Sequence, residues 1–288
     1  MSNVVIFDSG VGGLSIYQAV YQAQAQAANQ GQAQFDYVFV SDNHAFPYGT
    51  KAEPELIERV ASVVTAIVER YDPQILVVAC NTASTVVLPK LRQLFDFPIV
   101  GVVPAIKPAA MLSKTRHIAV LATPATIERP YTDKLIADYA SDCGVTKLGS
   151  SDLVELAEKK LYGETIEISQ LESILKPVLD LPSIDVLVLA CTHFPLLREE
   201  LEQVFDHRKH AINLVDSTQG IANRVSVLSK ELLNDPTQDR IKNRMNKNEI
   251  GTTREQKIAA FTDNISQQGE YLTKLKNIGF TDIQTLLI

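Results

Sequence analysis

The sequence predicts an α/β protein made of two similar units, each around a central sheet of parallel type. Three observations predict it. Short β-branched runs alternate with longer helix-favouring stretches. The runs are apolar throughout, as strands covered on both faces are. One run is also echoed: Ile75 to Cys80 reads ILVVAC and Val186 to Cys191 reads VLVLAC, identical at four of six positions. Valine-rich strands often look alike, but here a cysteine closes both runs and small polar residues follow each. That suggests two related units whose strand ends face one another.

Taken in order, strands are expected at Val4 to Asp8, Tyr37 to Ser41, Ile75 to Cys80, Ile99 to Val103, His117 to Ala122, Val186 to Cys191 and Ile212 to Asp216. The first is followed by a glycine-rich turn, DSGVGG, and a helix beginning near Leu14. The Ala/Gln tract Gln22 to Gln34 is able to extend that helix until Gly31 ends it. Amphipathic or helix-favouring stretches follow at Pro54 to Tyr71, Ala125 to Ala140 and Ser151 to Leu161. Asn234 to Gln256 is polar and turn-rich, with Pro236 and Gly251, and is expected to be a mobile loop.

Composition narrows the function. Hydrophobic residues make up 45% of 288, enough for a substantial core. No apolar run approaches the roughly 18 residues that span a bilayer, so no membrane role is expected. A net charge of −7 argues against a dominant nucleic-acid partner, which would require clustered Lys and Arg. Three cysteines do not make a disulfide framework, and the N-terminus reads as a first strand rather than a secretion signal. Both point to the cytoplasm.

In open α/β sheets ligands bind beyond the carboxyl ends of the strands. That rule collects Asp8 and Ser9, the stretch Ser41 to Thr50 with Tyr48 and Gly49, then Cys80, Asn81 and Thr82, then Cys191, Thr192 and His193. Glycines after the first strand permit close approach to a ligand and leave helix N–H groups free for an anion, although a tight turn alone would also use them. They lack the G-x-G-x-x-G spacing of a dinucleotide site. A thiol opening a helix is acidified by the helix dipole, and both Cys80 and Cys191 are read in that position. Cys143 lacks this context and reads as a packing residue. Zinc held by Cys80, Cys191 and His193 would lack the usual close Cys pair, so no metal is expected. Two like thiols suit racemisation: one base removes an α-proton, an acid on the opposite face returns one, and the reverse reaction exchanges their roles.

Five segments carry a family resemblance: FDSGVGGLS (Phe7 to Ser15), DNHAFPYG (Asp42 to Gly49), ACNTAS (Ala79 to Ser84), DLVELAEKKLYG (Asp152 to Gly163) and CTHFPLL (Cys191 to Leu197). Together, in this order, they resemble bacterial glutamate racemases. The wording DSGVGGLS favours the glutamate over the aspartate branch. The resemblance implies two α/β domains with the site in the cleft between them: residues 1–103 plus 216–288, and an inserted 104–215. It implies that Cys80 takes the α-proton from D-glutamate and Cys191 from L-glutamate. Asp8 would support the Cys80 side, with His193 and Glu155 on the Cys191 side. Ser9, Tyr48, Gly49, Asn81, Thr82 and Thr192 would bind substrate, with Asp8 and His193 beside them. It further implies no pyridoxal phosphate or other cofactor, D-glutamate for peptidoglycan, a cell-wall precursor as activator, and a homodimer. Two readings from other classes remain on the residues alone: a thiol hydrolase or decarboxylase, which would leave one cysteine unused, and a module that only binds an amino acid, which would leave both unused.

Overall fold

The computed structural model describes residues 3–28, 35–234 and 256–288. It holds two sheets, with every strand pairing parallel. The first runs β10-β9-β2-β1-β3-β4 and the second β6-β5-β7-β8. The strands of the first are β1 (Asn3–Asp8), β2 (Asp36–Ser41), β3 (Pro73–Val78), β4 (Ile99–Gly101), β9 (Lys257–Phe261) and β10 (Asp282–Thr285). Those of the second are β5 (His117–Ala122), β6 (Gly144–Gly149), β7 (Val186–Leu189) and β8 (Asn213–Val215).

Each sheet is buried on both faces, which explains the continuous apolar runs. Along β1, Val4 and Ile6 enter one core cluster while Val5 and Phe7 enter the opposite one. Along β7, Leu187 and Leu189 face one cluster, and Val186 and Val188 the other. Successive strand side chains point to opposite faces, so a strand with two dry faces has no polar positions to spare. Each such aliphatic side chain contributes about 1.5–3 kcal/mol on burial.

Eleven helices cover these sheets among the described residues: α1 (Leu14–Ala28), α2 (Glu53–Tyr71), α3 (Asn81–Leu94), α4 (Ile106–Leu112), α5 (Pro124–Ile127), α6 (Pro130–Tyr139), α7 (Asp152–Leu161), α8 (Ile168–Leu179), α9 (Arg198–His207), α10 (Thr218–Asn234) and α11 (Gly269–Ile278). None of them is long and apolar enough to cross a membrane.

Several expectations are corrected. The helix expected over Ala125 to Ala140 is two helices, α5 and α6. Arg129 is extended (φ −74°, ψ 137°) because it precedes Pro130, whose ring disfavours the helical region for its neighbour. The strands at Ile75 and Val186 stop at Val78 and Leu189, so Cys80 and Cys191 lie just past the strand ends. Strands β6 and β10 escape the apolar rule because they are sheet edges with half their positions exposed. The helix through the Ala/Gln tract is described to Ala28, and Gly31 lies outside the described residues, as does 235–255 of the expected loop.

Candidate active site

Cys80 sits between the end of β3 and the first turn of α3. It is the residue preceding that helix, in extended conformation (φ −120°, ψ 117°), and the Ala83 amide donates to its sulfur. Ser9 Oγ, at the end of β1, is 3.7 Å from Cys80 Sγ and donates to Asp8 Oδ1 at 3.2 Å. The pull of the helix start on this thiol is outweighed, so the expected net acidification does not hold. Burial and the Asp8 charge push it far up, and the Ala83 and Ser9 hydrogen bonds recover only part of that. Cys80 therefore rests as a thiol.

Cys191 lies in a different setting. A 3-10 turn, Phe194–Leu197, intervenes before α9, so no α-helix starts at this cysteine. Its partner is His193, whose Nδ1 stands 3.9 Å from Cys191 Sγ. The other ring nitrogen, Nε2, is 2.8 Å from Glu158 Oε1. Burial opposes protonation of His193, but the hydrogen bonds to Cys191 and Glu158 outweigh it and raise the imidazole well above its ordinary value. A protonated ring donates Nε2–H to the carboxylate and directs Nδ1–H at the sulfur. His193 can thus hold or return the proton that Cys191 exchanges.

The carboxylate that meets His193 is Glu158, not the expected Glu155. Both lie on α7, three residues apart. Glu155 is exposed at the cavity wall, whereas Glu158 is partly buried, meets His193 and accepts from the Val11 amide at 3.3 Å. The i, i+3 spacing puts both on one helix face, and only the packing of α7 selects between them.

Asp8 also differs from its expected place. It is fully buried and does not line the cavity. Its carboxylate accepts from the Ser9 amide at 2.6 Å and from Thr192 Oγ1 at 2.9 Å, tying the end of β1 to the Cys191 turn. Burial raises its pKa, against the His193 charge and the Thr192 and Ser9 hydrogen bonds. Gly12 serves that same junction. A Cβ on Gly12 would come within 2.6 Å of both His193 Nδ1 and Thr192 Oγ1. Glycine at this position lets the two strand-end turns meet.

Both thiols line one cavity of about 140 Å³. Ser9, Tyr48, Gly49, Asn81 and Thr82 line it from the first sheet's side, and Glu155, Thr192 and His193 from the second's. Engineered cavities of about this size hold a benzene-sized molecule, so the space suits a small metabolite. The Asn81 Nδ2 donor is buried with no partner, as a donor reserved for a ligand would be. The Tyr48 hydroxyl is not free for one: it donates to Asp42 Oδ2 at 2.6 Å. Sequence reasoning missed Thr123, which also lines the cavity and makes a buried hydroxyl cluster with Thr82 and Thr126 at 3.0–3.2 Å. Its position just past the end of β5 was the available signal.

Thiols from two parallel sheets, meeting on one small cavity with separate proton-handling partners, define a two-base proton-transfer enzyme. Residues 12–225 match the Asp/Glu/Hydantoin racemase family, and the chain belongs to it. The glutamate racemase of Pectobacterium carotovorum is 50% identical over 234 residues, 81% of this chain and 78% of that protein. That of Salmonella typhimurium is 50% identical over 226 residues, 78% and 76% of the two chains. The crystal structure of Escherichia coli glutamate racemase, in complex with L-glutamate and the activator UDP-MurNAc-ala, superposes with a TM-score of 0.84 at 41% identity, covering 99% of this chain and 98% of that one.

Proposed function

We propose that the chain interconverts L- and D-glutamate by direct proton transfer between Cys80 and Cys191, without a cofactor. The observation that carries this is the pair of thiols on one cavity, each with its own proton-handling partners. In the L-to-D direction the Cys191 thiolate takes the α-proton, and the Cys80 thiol delivers its proton to the opposite face of the carbanion. Cys80 ends as thiolate and Cys191 as thiol. His193, hydrogen-bonded to Glu158, helps to reset the Cys191 end, and Asp8 acts through Ser9 at the Cys80 end. In the D-to-L direction the thiols exchange roles.

The carbanion needs stabilisation at its carboxylate. Among the described residues no Lys or Arg lines the cavity, so recognition rests mainly on neutral donors: the Asn81 side chain, the hydroxyls of Ser9, Thr82 and Thr192, and amides at the start of α3. Among the described residues the same wall offers no lysine to form a Schiff base with pyridoxal phosphate.

As in the Escherichia coli relative, a UDP-MurNAc precursor is the proposed activator. The product supplies D-glutamate for peptidoglycan, in the cytoplasm. The proposed domains are residues 1–103 with 216–288, and 104–215.

The test is to incubate pyridoxal-free protein with L-glutamate and, separately, D-glutamate in heavy water, with and without the precursor. Optical activity should decay from both sides with deuterium entering the α-carbon. Folded protein that shows no exchange under either condition would refute the reading.

A further inference from the structure

Phe46 to Thr50 line the cavity without belonging to either sheet, and only Tyr48–Thr50 forms a short 3-10 turn. What holds this stretch is Asp42, just past the end of β2. Its carboxylate is fully buried and accepts four hydrogen bonds. Tyr48 Oη donates to Oδ2 at 2.6 Å, Arg59 Nε to Oδ2 at 2.9 Å, Arg59 Nη2 to Oδ1 at 2.6 Å, and Thr262 Oγ1 to Oδ1 at 2.7 Å. The donors come from the turn, from α2 and from the residue after β9. The Arg59 fork fixes the carboxylate plane, which a point-charge ammonium would not do. From the other end of the stretch, Phe46 reaches the second sheet's core cluster, with its ring 5.6 Å from that of His193.

We propose that Asp42 and Arg59 are positioning residues for substrate binding, holding Tyr48 from below so that the Phe46 to Thr50 wall keeps its shape around a substrate carboxylate. This rests on reading the cavity as a glutamate site. Neither side chain lines the cavity, so the pair acts only through Tyr48. Because among the described residues no cationic side chain lines the wall apart from His193, affinity depends on N–H and O–H groups, whose value is lost when they are misplaced. Arg59, Tyr48 and Thr262 together outweigh the burial of Asp42 and keep it ionised, while burial and Asp42 push the Tyr48 hydroxyl well up, so it stays a donor.

The experiment compares wild type with Arg59→Met, Arg59→Lys and Tyr48→Phe, reading KM and kcat for both glutamate enantiomers, glutamate Kd by calorimetry, and thermal unfolding. Arg59→Met is expected to raise KM and Kd about tenfold with a smaller change in kcat, Arg59→Lys to fall between it and wild type, and Tyr48→Phe to raise KM about threefold. A purely structural ion pair would lower the unfolding temperature and leave KM and Kd of the folded fraction unchanged. KM and Kd within about twofold of wild type in folded variants, or a loss confined to kcat, overturns the proposal. If Arg59→Met does not fold, Tyr48→Phe decides. Wild-type protein that binds glutamate without inverting it defeats the activity reading alone, and Kd then reads the positioning role. Wild-type protein that neither binds nor inverts glutamate overturns both.

Discussion

The two cysteine ends share a strand pattern and differ in almost everything around it. At the end of β3, Cys80 is followed directly by α3, is touched by Ser9 and sits close to the Asp8 charge. At the end of β7, Cys191 is followed by a 3-10 turn and faces an imidazole backed by a carboxylate. One end is a thiol raised by burial and a neighbouring anion. The other is a sulfur beside a group able to carry its proton. The difference teaches that the internal echo reports geometry, two sulfurs delivered to one cavity, and not equal chemistry. A racemase can use unlike ends, because the enantiomers have equal free energies and only the overall barrier must match in the two directions.

The largest effect should come from removing either sulfur. Cys80→Ala and Cys191→Ala are each expected to lower racemisation at least about a thousandfold, measured by loss of optical activity, since each removes an acid-base group from both directions. Undiminished turnover in either variant would break the symmetry on which the comparison stands.

A smaller effect distinguishes the supports of the Cys191 end. Glu158→Gln should lower kcat/KM by about tenfold to a hundredfold, because His193 loses its anionic partner and its fixed orientation. Glu155→Gln should lower it less, since the carboxylate that meets His193 is Glu158. Equilibrium between enantiomers forces kcat/KM to fall equally in both directions. The asymmetry will therefore appear in the deuterium isotope effect, which should rise more for L-glutamate than for D-glutamate. Equal effects of the two variants would return the role to Glu155.

The smallest effect concerns the scaffold under Cys191. Asp185, directly before β7, accepts from Ser113 Oγ at 2.6 Å and from the amides of Lys114 and Thr115 at 2.7 and 3.1 Å. Burial is the largest single influence and raises its pKa, but these bonds together outweigh it and bring it down to about 2 from 3.8. A depressed carboxylate contributes stability above its unfolded value, and that contribution disappears as pH falls through the folded one. Wild type should therefore lose stability between about pH 4 and about pH 2, and Asp185→Asn should lose less over that window. At neutral pH the variant should melt about 2–4 °C lower with activity little changed. Circular dichroism melts across that pH range check it.

The sequence by itself determined the fold class, because strands with two dry faces leave an unbroken apolar record, and it determined the order of the chemistry, because ligand-facing residues follow strand ends. Asp8, Ser9, Cys80, Asn81, Cys191 and His193 could all be picked out by that rule. Only the tertiary structure decided which of them touch the cavity and which stand behind it. Asp8 looked like a wall residue and is a buried tie to Thr192. Glu155 and Glu158 share a helix face, and no periodicity says which carboxylate His193 will meet. The glycines of DSGVGG announced a close approach without naming a partner, which for Gly12 is the other cysteine's turn. Periodicity and turn chemistry act over a few neighbouring residues, and they write themselves into the sequence. Contacts such as Val11 to Glu158, or Asp8 to Thr192, join residues more than a hundred positions apart, and they exist only once both sheets have formed and met.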